Sequence, residues 1–349
     1  MLFAGVSWDG RGFELALLDE SGTATASTVR FPAGQVGALT DHLRALDRSS
    51  DQPLICVIDS TNGMLDGGLM SAGLRVHRAD PWVLPPRPAF GSVAAASLAA
   101  AAAARLPELP RLVIEGGTLT GRGDEHDRWL RESEPGTAAL TAAGRCLDRG
   151  PEGEDRVVAL TFDDGPNPPY TGRILDVLDR YGVPATFFCV GLHASAHSEE
   201  LSRMVESGHR LANHTWSHPF LPDLTPAELA VQLDRTDEAL AAVAGEQGRR
   251  LFRPPYGSRS PNIVSWLARE DAGTVVLWDV DAYDWALPGA DVIARTVLGH
   301  ARPGSIALMH DGGGDRSQTA EALPAIIEGL LDGGYRFARV DDLIGGRPR

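Results

Sequence analysis

Seven short apolar, β-rich runs recur through the second half of the chain, and helical stretches separate almost all of them. They are VVALTF from Val157, PATFFCV from Pro184, RLANH from Arg210, LFRPPY from Leu251, TVVLWDV from Thr274, GSIALMH from Gly304 and YRFARV from Tyr335. Alternation of this kind gives a parallel sheet with helices outside, because each parallel connection must cross back over a sheet face. Seven repeats can close into a barrel. The helices carry their own start signals. Thr225, Pro226 and Glu228 read as an N-cap, a first helical residue and the far end of a capping box. Leu229, Leu233, Thr236 and Leu240 then share one stripe. Ser260 and Pro261 open a second helix in the same way.

The polar residues fall where these runs stop. Asp163 and Asp164 end the first, and His214 ends the third with His218 just beyond. Arg253 and Tyr256 lie at the fourth. Asp279, Asp281 and Asp284 end or follow the fifth, and His310 and Asp311 end the sixth. In a parallel barrel the C-terminal strand ends share one face, so residues distant in sequence converge there. His214 and His218 are four apart, which on a helical turn points both rings one way. Two imidazoles with one carboxylate form a zinc-type ligand set that leaves a position for water. That carboxylate is Asp163 or Asp164. A cation also explains why two like charges stand side by side: one ligates, and the other faces water that the cation has made more acidic. Arg253 offers a rigid fork to hold the base carboxylate ionised. His310 is the remaining proton carrier, with Asp284 or Asp281 to orient it. A backbone N–H near Tyr256 can stabilise an oxyanion. Trp285 stands beside them as an apolar platform.

Bulk properties narrow the partners. The 349 residues carry a formal net charge of -15, which repels nucleic acid and anionic membrane but not a neutral sugar. Cys56, Cys146 and Cys189 are odd in number and widely spaced, so no disulfide framework is expected. The opening MLFAGVSWDGRGFELALLDE lacks a basic start and meets Asp9 early, so it does not read as a signal peptide. The stretch Ser92 to Leu106 is too short and alanine-rich to span a bilayer, and reads as a packed helix. A cytoplasmic location is the expectation.

The first half has an α/β pattern of its own. LFAGVSWD, GFELALLDESG and ATASTVRF read as strands. A helix from Val36 to Leu46 follows, then the strands LICVIDS and LRVHRADP, a proline-rich bend from Pro81 to Pro88, the alanine helix and PRLVIEGG. We expect a first domain at 1–131, a linker with a short helix at 132–156, and a barrel at 157–345.

TFDDGP, HTWSH, RPPYG, DAYDW and MHD occur in the order and spacing of the polysaccharide deacetylase family, the NodB-like domains of carbohydrate esterase family 4, which the second half resembles. The resemblance implies a distorted (β/α)7 barrel and a metal-dependent N-deacetylase that releases acetate from an N-acetylated amino sugar or oligosaccharide. It implies Asp163 as base, Asp164, His214 and His218 as metal ligands, and Arg253 as the residue holding the base. Tyr256 then lies at the oxyanion amide, His310 is the acid and Asp284 its orienting partner. Asp281 joins the same charge network, while Trp285 and Leu308 wall the acetyl pocket. The ion implied is Zn2+, with Co2+, Ni2+ or Mn2+ as substitutes. The alternatives are an amidohydrolase acting on a small non-sugar amide, and a non-catalytic carbohydrate-binding or scaffold protein. The first half resembles the ribonuclease H-like part of certain bacterial transposases. That resemblance implies a carboxylate set of Asp9, Asp59 and Glu115, although the acidic chain favours a scaffold. Such a scaffold would cover the barrel mouth, form a homodimer or hold a partner.

Overall fold

The computed structural model describes residues 1–114, 121–151, 155–245, 250–269 and 273–345. Two sheets organise them. The first contains β1 (Leu2–Trp8), β2 (Gly12–Asp19), β3 (Val29–Pro32), β4 (Leu54–Asp59) and β5 (Val76–Ala79). Their order is β3-β2-β1-β4-β5. The tight turn after Trp8 makes β1 and β2 antiparallel, while β1, β4 and β5 run parallel. The alanine-rich stretch forms the helix Ala95–Arg105, with Ala95, Leu98, Ala99 and Ala102 buried against this sheet. Small side chains let helix and sheet approach closely. PRLVIEGG forms no full strand within its described part. It runs beside β5 through a bridge between His77 and Arg111.

The second sheet contains β6 (Cys146–Leu147), β7 (Val157–Asp163), β8 (Thr186–Cys189), β9 (Arg210–Asn213), β10 (Leu251–Phe252), β11 (Thr274–Val276), β12 (Val280–Asp281), β13 (Ile306–His310) and β14 (Arg336–Phe337). The order is β12-β13-β7-β8-β9-β10-β11-β6, with β14 on the start of β7, and the pairings are parallel. It is a curled, open sheet resembling a distorted barrel. Its ends draw together where Arg149 bridges Ser305 and the Gly150 amide donates to the Gly304 carbonyl at 2.8 Å.

The seven expected strands become nine for two reasons. TVVLWDV is not one strand: Asp279 accepts from the Ile306 amide at 2.8 Å and the Ser305 hydroxyl at 2.9 Å. That anchor lets the chain leave β10 and β6 as β11 and rejoin the sheet beside β13 as β12. The other strand, β6, comes from 132–156. This stretch, expected to be a linker with a short helix, also holds the second half of the helix Gly123–Ala142, whose Leu140 packs with Ile263, Val264 and Leu267.

Phe162 stacks on Phe187 at 5.1 Å in the main core. The expected capping box is present, with Thr225 and Glu228 bonding each other's backbone. All three cysteines are buried and unpaired. Among the described residues, no helix is long and apolar enough to cross a membrane.

Candidate metal centre and catalytic cleft

β7 is buried along its whole length, and its last residue pairs in register with His310 of β13 and Phe188 of β8. The sheet thus carries Asp163 to the cleft beside His310. In an extended strand the next side chain would face the opposite way. Asp164 instead takes a left-handed conformation, φ 76°, and both carboxylates reach the same ring. His214 Nε2 lies 3.5 Å from Asp163 Oδ2 and 3.4 Å from Asp164 Oδ1, and His218 Nε2 lies 3.2 Å from that same Asp164 oxygen. His193, absent from the sequence reading, bonds the Asp164 carbonyl at 2.9 Å and helps fix this turn.

The two histidine rings converge, with centroids 4.9 Å apart, but no helical turn brings them together. Residues 214–218 form an irregular loop with Thr215 and His218 in the left-handed region. The His214 Nδ1 contacts the Arg253 carbonyl at 2.7 Å. That bond requires a proton on Nδ1 and turns Nε2 toward Asp164. Burial pushes His218 down to about 3, so its ring is neutral, as a ligand's must be. Asp164 Oδ1 is buried with no hydrogen-bond donor. Among the described residues, Asp164, His214 and His218 form the one cluster able to hold a metal ion. A buried carboxylate oxygen that has no donor and faces two imidazole nitrogens is costly unless a cation joins them. The residues present fit a divalent ion.

The neighbouring groups are divided between two tasks. Arg253, fully buried, donates to Asp163 Oδ1 at 2.7 Å and to the Thr161 hydroxyl at 2.8 Å. Its other nitrogens bond the Val276 and Leu277 carbonyls, and it lies over the Phe188 ring at 4.0 Å. Asp163 is therefore held by one oxygen, and the other faces the cluster. His310 Nδ1 pairs with Asp284 Oδ1 at 2.7 Å. Asp284 Oδ2 accepts from the His310 amide and the Thr319 hydroxyl. Burial alone would lower His310, but the Asp284 charge and hydrogen bond outweigh it and lift the ring to about 9. Asp311, which the sequence placed at a strand end without a role, is buried beneath the site. It accepts from Thr171 and the Gly165 amide.

A cavity of about 310 Å³ opens in front of the cluster. Of the sequence candidates, Asp163, Asp164, His214, His218, Tyr256, Asp281, Trp285, Leu308 and His310 line it. Arg253 and Asp284 stand behind, touching Asp163 and His310. Burial raises Asp281, and its carboxylate accepts from the Tyr283 amide at 2.8 Å. Tyr256 has φ 57°, and its hydroxyl donates to Asp66 at 2.8 Å. Asp66, Gly67, Met70, Ser71 and Ile114 of the first half also line the cavity. Sequence reasoning missed them because no local pattern marks them. Of the expected nuclease carboxylates, Asp9 pairs with Arg30 at an exposed site, and Asp59 is buried under bonds from Thr61 and Val93. Glu115 lies outside the described residues.

The family model described as polysaccharide deacetylase matches residues 150–275. A chitooligosaccharide deacetylase of Sinorhizobium fredii is 41% identical over 189 residues, 51% of this chain and 87% of that protein. The chain belongs to the polysaccharide deacetylase family. Among solved structures, a peptidoglycan N-acetylglucosamine deacetylase is 35% identical with a TM-score of 0.56, over 59% of this chain and 96% of its own. A pseudoenzyme of carbohydrate esterase family 4 from Bacillus anthracis is 30% identical with a TM-score of 0.52, over 57% and 68%. The fold of this polysaccharide deacetylase family therefore does not by itself carry activity, and the residues must. Here the metal-binding cluster is intact, and the chain is a metal-dependent hydrolase.

Proposed function

We propose that the enzyme hydrolyses the acetamide of an N-acetylated amino sugar or oligosaccharide, giving acetate and the free amine. One observation carries the reading. The cluster of Asp164, His214 and His218 lies between an arginine-held carboxylate and a carboxylate-held histidine, so base, cation site and acid face one small cavity. Asp164, His214 and His218 would hold a divalent ion, Zn2+ by the character of those ligands, which would supply Lewis acidity to an amide carbonyl and lower the pKa of a water beside it. Asp163 accepts that water's proton on Oδ2, the oxygen that Arg253 leaves uncovered. The backbone amide of the Tyr256 turn, on the cavity lining, is the group we assign to the oxyanion. His310 donates a proton from Nε2 to the departing nitrogen, and Asp284 keeps it charged and aligned. Trp285 and Leu308 wall the acetyl methyl group, and Asp281 contributes negative charge to the His310 side. The test is acetate release from N-acetylated sugars, with and without stringent chelation. Zn2+-restored release is expected, and chelation-indifferent turnover would remove the metal from the mechanism.

The strand order β3-β2-β1-β4-β5, antiparallel over its first three members, supports a ribonuclease H-like first unit. We place its end before Gly123. The helix Gly123–Ala142 and β6 go with the barrel, because both pack on it.

A further inference from the structure

The cavity is not made by the family-matched region alone. Asp66, Gly67, Met70 and Ser71 on the short helix Asp66–Ser71, with Ile114, form one wall of it. All five lie outside the matched residues 150–275. The wall is docked without slack. A Cβ at Gly67 would stand 2.0 Å from the Gly313 carbonyl oxygen, and one at Gly63 would stand 2.1 Å from the Tyr256 hydroxyl and 2.3 Å from the His218 carbonyl. Asp66 accepts from that hydroxyl. Away from the cavity, Arg87 pairs with Glu228 at 3.0 Å, tying the same half to the helix Pro226–Ala244. Backbone contact at two points, a shared hydrogen bond and an ion pair keep this wall from swinging aside cheaply.

The cavity, at about 310 Å³, is at the low end of the roughly 300–1,000 Å³ range of small-molecule sites. An enzyme that works inside a long glycan needs a groove open on both sides of the reacting sugar, so that the chain can leave in both directions. A rigid wall beside the metal ligands closes one of those exits. We infer that the first half of the chain sets substrate length: the site takes a single N-acetylated amino sugar, or the terminal residue of a short oligosaccharide, and refuses internal residues. This rests on the deacetylase reading above.

The experiment measures kcat/KM for acetate release from N-acetylglucosamine and its oligomers of two to six units, on the metal-loaded full chain. The wild type is expected to lose about tenfold or more between the best short substrate and the hexamer. In Met70→Ala and Ile114→Ala that ratio should shrink several-fold toward unity. A flat or rising length profile in the wild type, or hexamer deacetylated at internal units, overturns the inference and leaves the deacetylase reading standing. Calorimetric binding of monomer and hexamer to the Asp163→Asn protein gives a readout that needs no turnover. Preference for the short sugar supports the inference, and equal or tighter hexamer binding, or no binding of either, overturns it. Failure of every sugar to release acetate would instead sink the deacetylase reading.

Discussion

Two strand-end aspartates, one in each half, have opposite fates. Asp59 ends β4 and Asp164 follows β7, and both are buried. Asp59 accepts from the Thr61 amide at 3.0 Å, the Thr61 hydroxyl at 2.7 Å and the Val93 amide at 3.0 Å. One of its oxygens is taken by its own loop at Thr61 and the other by the Val93 amide, so backbone and hydroxyl donors satisfy both. Asp164 Oδ1 has no such donor and faces two imidazoles. A carboxylate at the end of a parallel strand is thus not a site by position alone. It becomes one when the surrounding chain withholds local donors and supplies ligands from elsewhere.

The sharpest way to break this contrast is to remove a converging ligand. His214→Ala should weaken metal binding by more than about 100-fold, since even outer partners of metal ligands are worth about 10–100-fold, and turnover should vanish with the metal. Metal analysis beside an acetate assay reads both, and a metal-replete, active variant would reject the cluster. Asp163→Asn should keep the metal and cut kcat by about 10²–10⁴-fold, the usual worth of a positioned base. Loss of the metal here would mean that Asp163 ligates as well.

Asp284→Asn tests the acid through pH. His310 sits at about 9 instead of its ordinary value of about 6.5. A raised pKa means that the proton is held in the folded state. The associated stability is fully present below about pH 6.5 and fades as the pH rises through about 9. Removing the Asp284 charge lets burial dominate, so the alkaline limb of the kcat/KM profile should move to lower pH. An unmoved limb would show that another group is the acid. The smallest effect belongs to Asp59→Asn. It should cost about 1–2 kcal/mol of stability through its altered hydrogen bonds and leave bound metal unchanged, as thermal melts and metal analysis would register. Metal loss in that variant would erase the distinction between the two aspartates.

Much of the cleft could be read from the chain because its residues sit at the ends of recognisable strands. Asp163, Asp164, His214, His218 and His310 are marked by apolar runs that halt on polar residues. The route by which two of them meet could not be read. A four-residue spacing suggests a helix, whereas the backbone uses left-handed turns at Thr215 and His218 whose cost only tertiary contacts can offset. β6 and the break between β11 and β12 were hidden for a related reason. Two-residue strands carry no periodicity, and the anchor at Asp279 acts through Ser305 and Ile306, which lie 26 and 27 positions further on. The cavity wall was hidden more completely. Nothing near Asp66 or Met70 signals a neighbour that is almost two hundred residues away in Tyr256.

The glycine contacts at positions 63 and 67 bear on how the protein fails when heated. Dispersion attraction falls steeply over the first ångström of separation. Where Gly67 meets the Gly313 carbonyl and Gly63 the His218 carbonyl, backbone lies against backbone, and only the Tyr256 hydroxyl and the Arg87–Glu228 pair could stretch to keep touch. Such a joint parts abruptly, and sugar-length selection should therefore be lost in one step, ahead of the melting of the curled sheet that still holds the metal ligands.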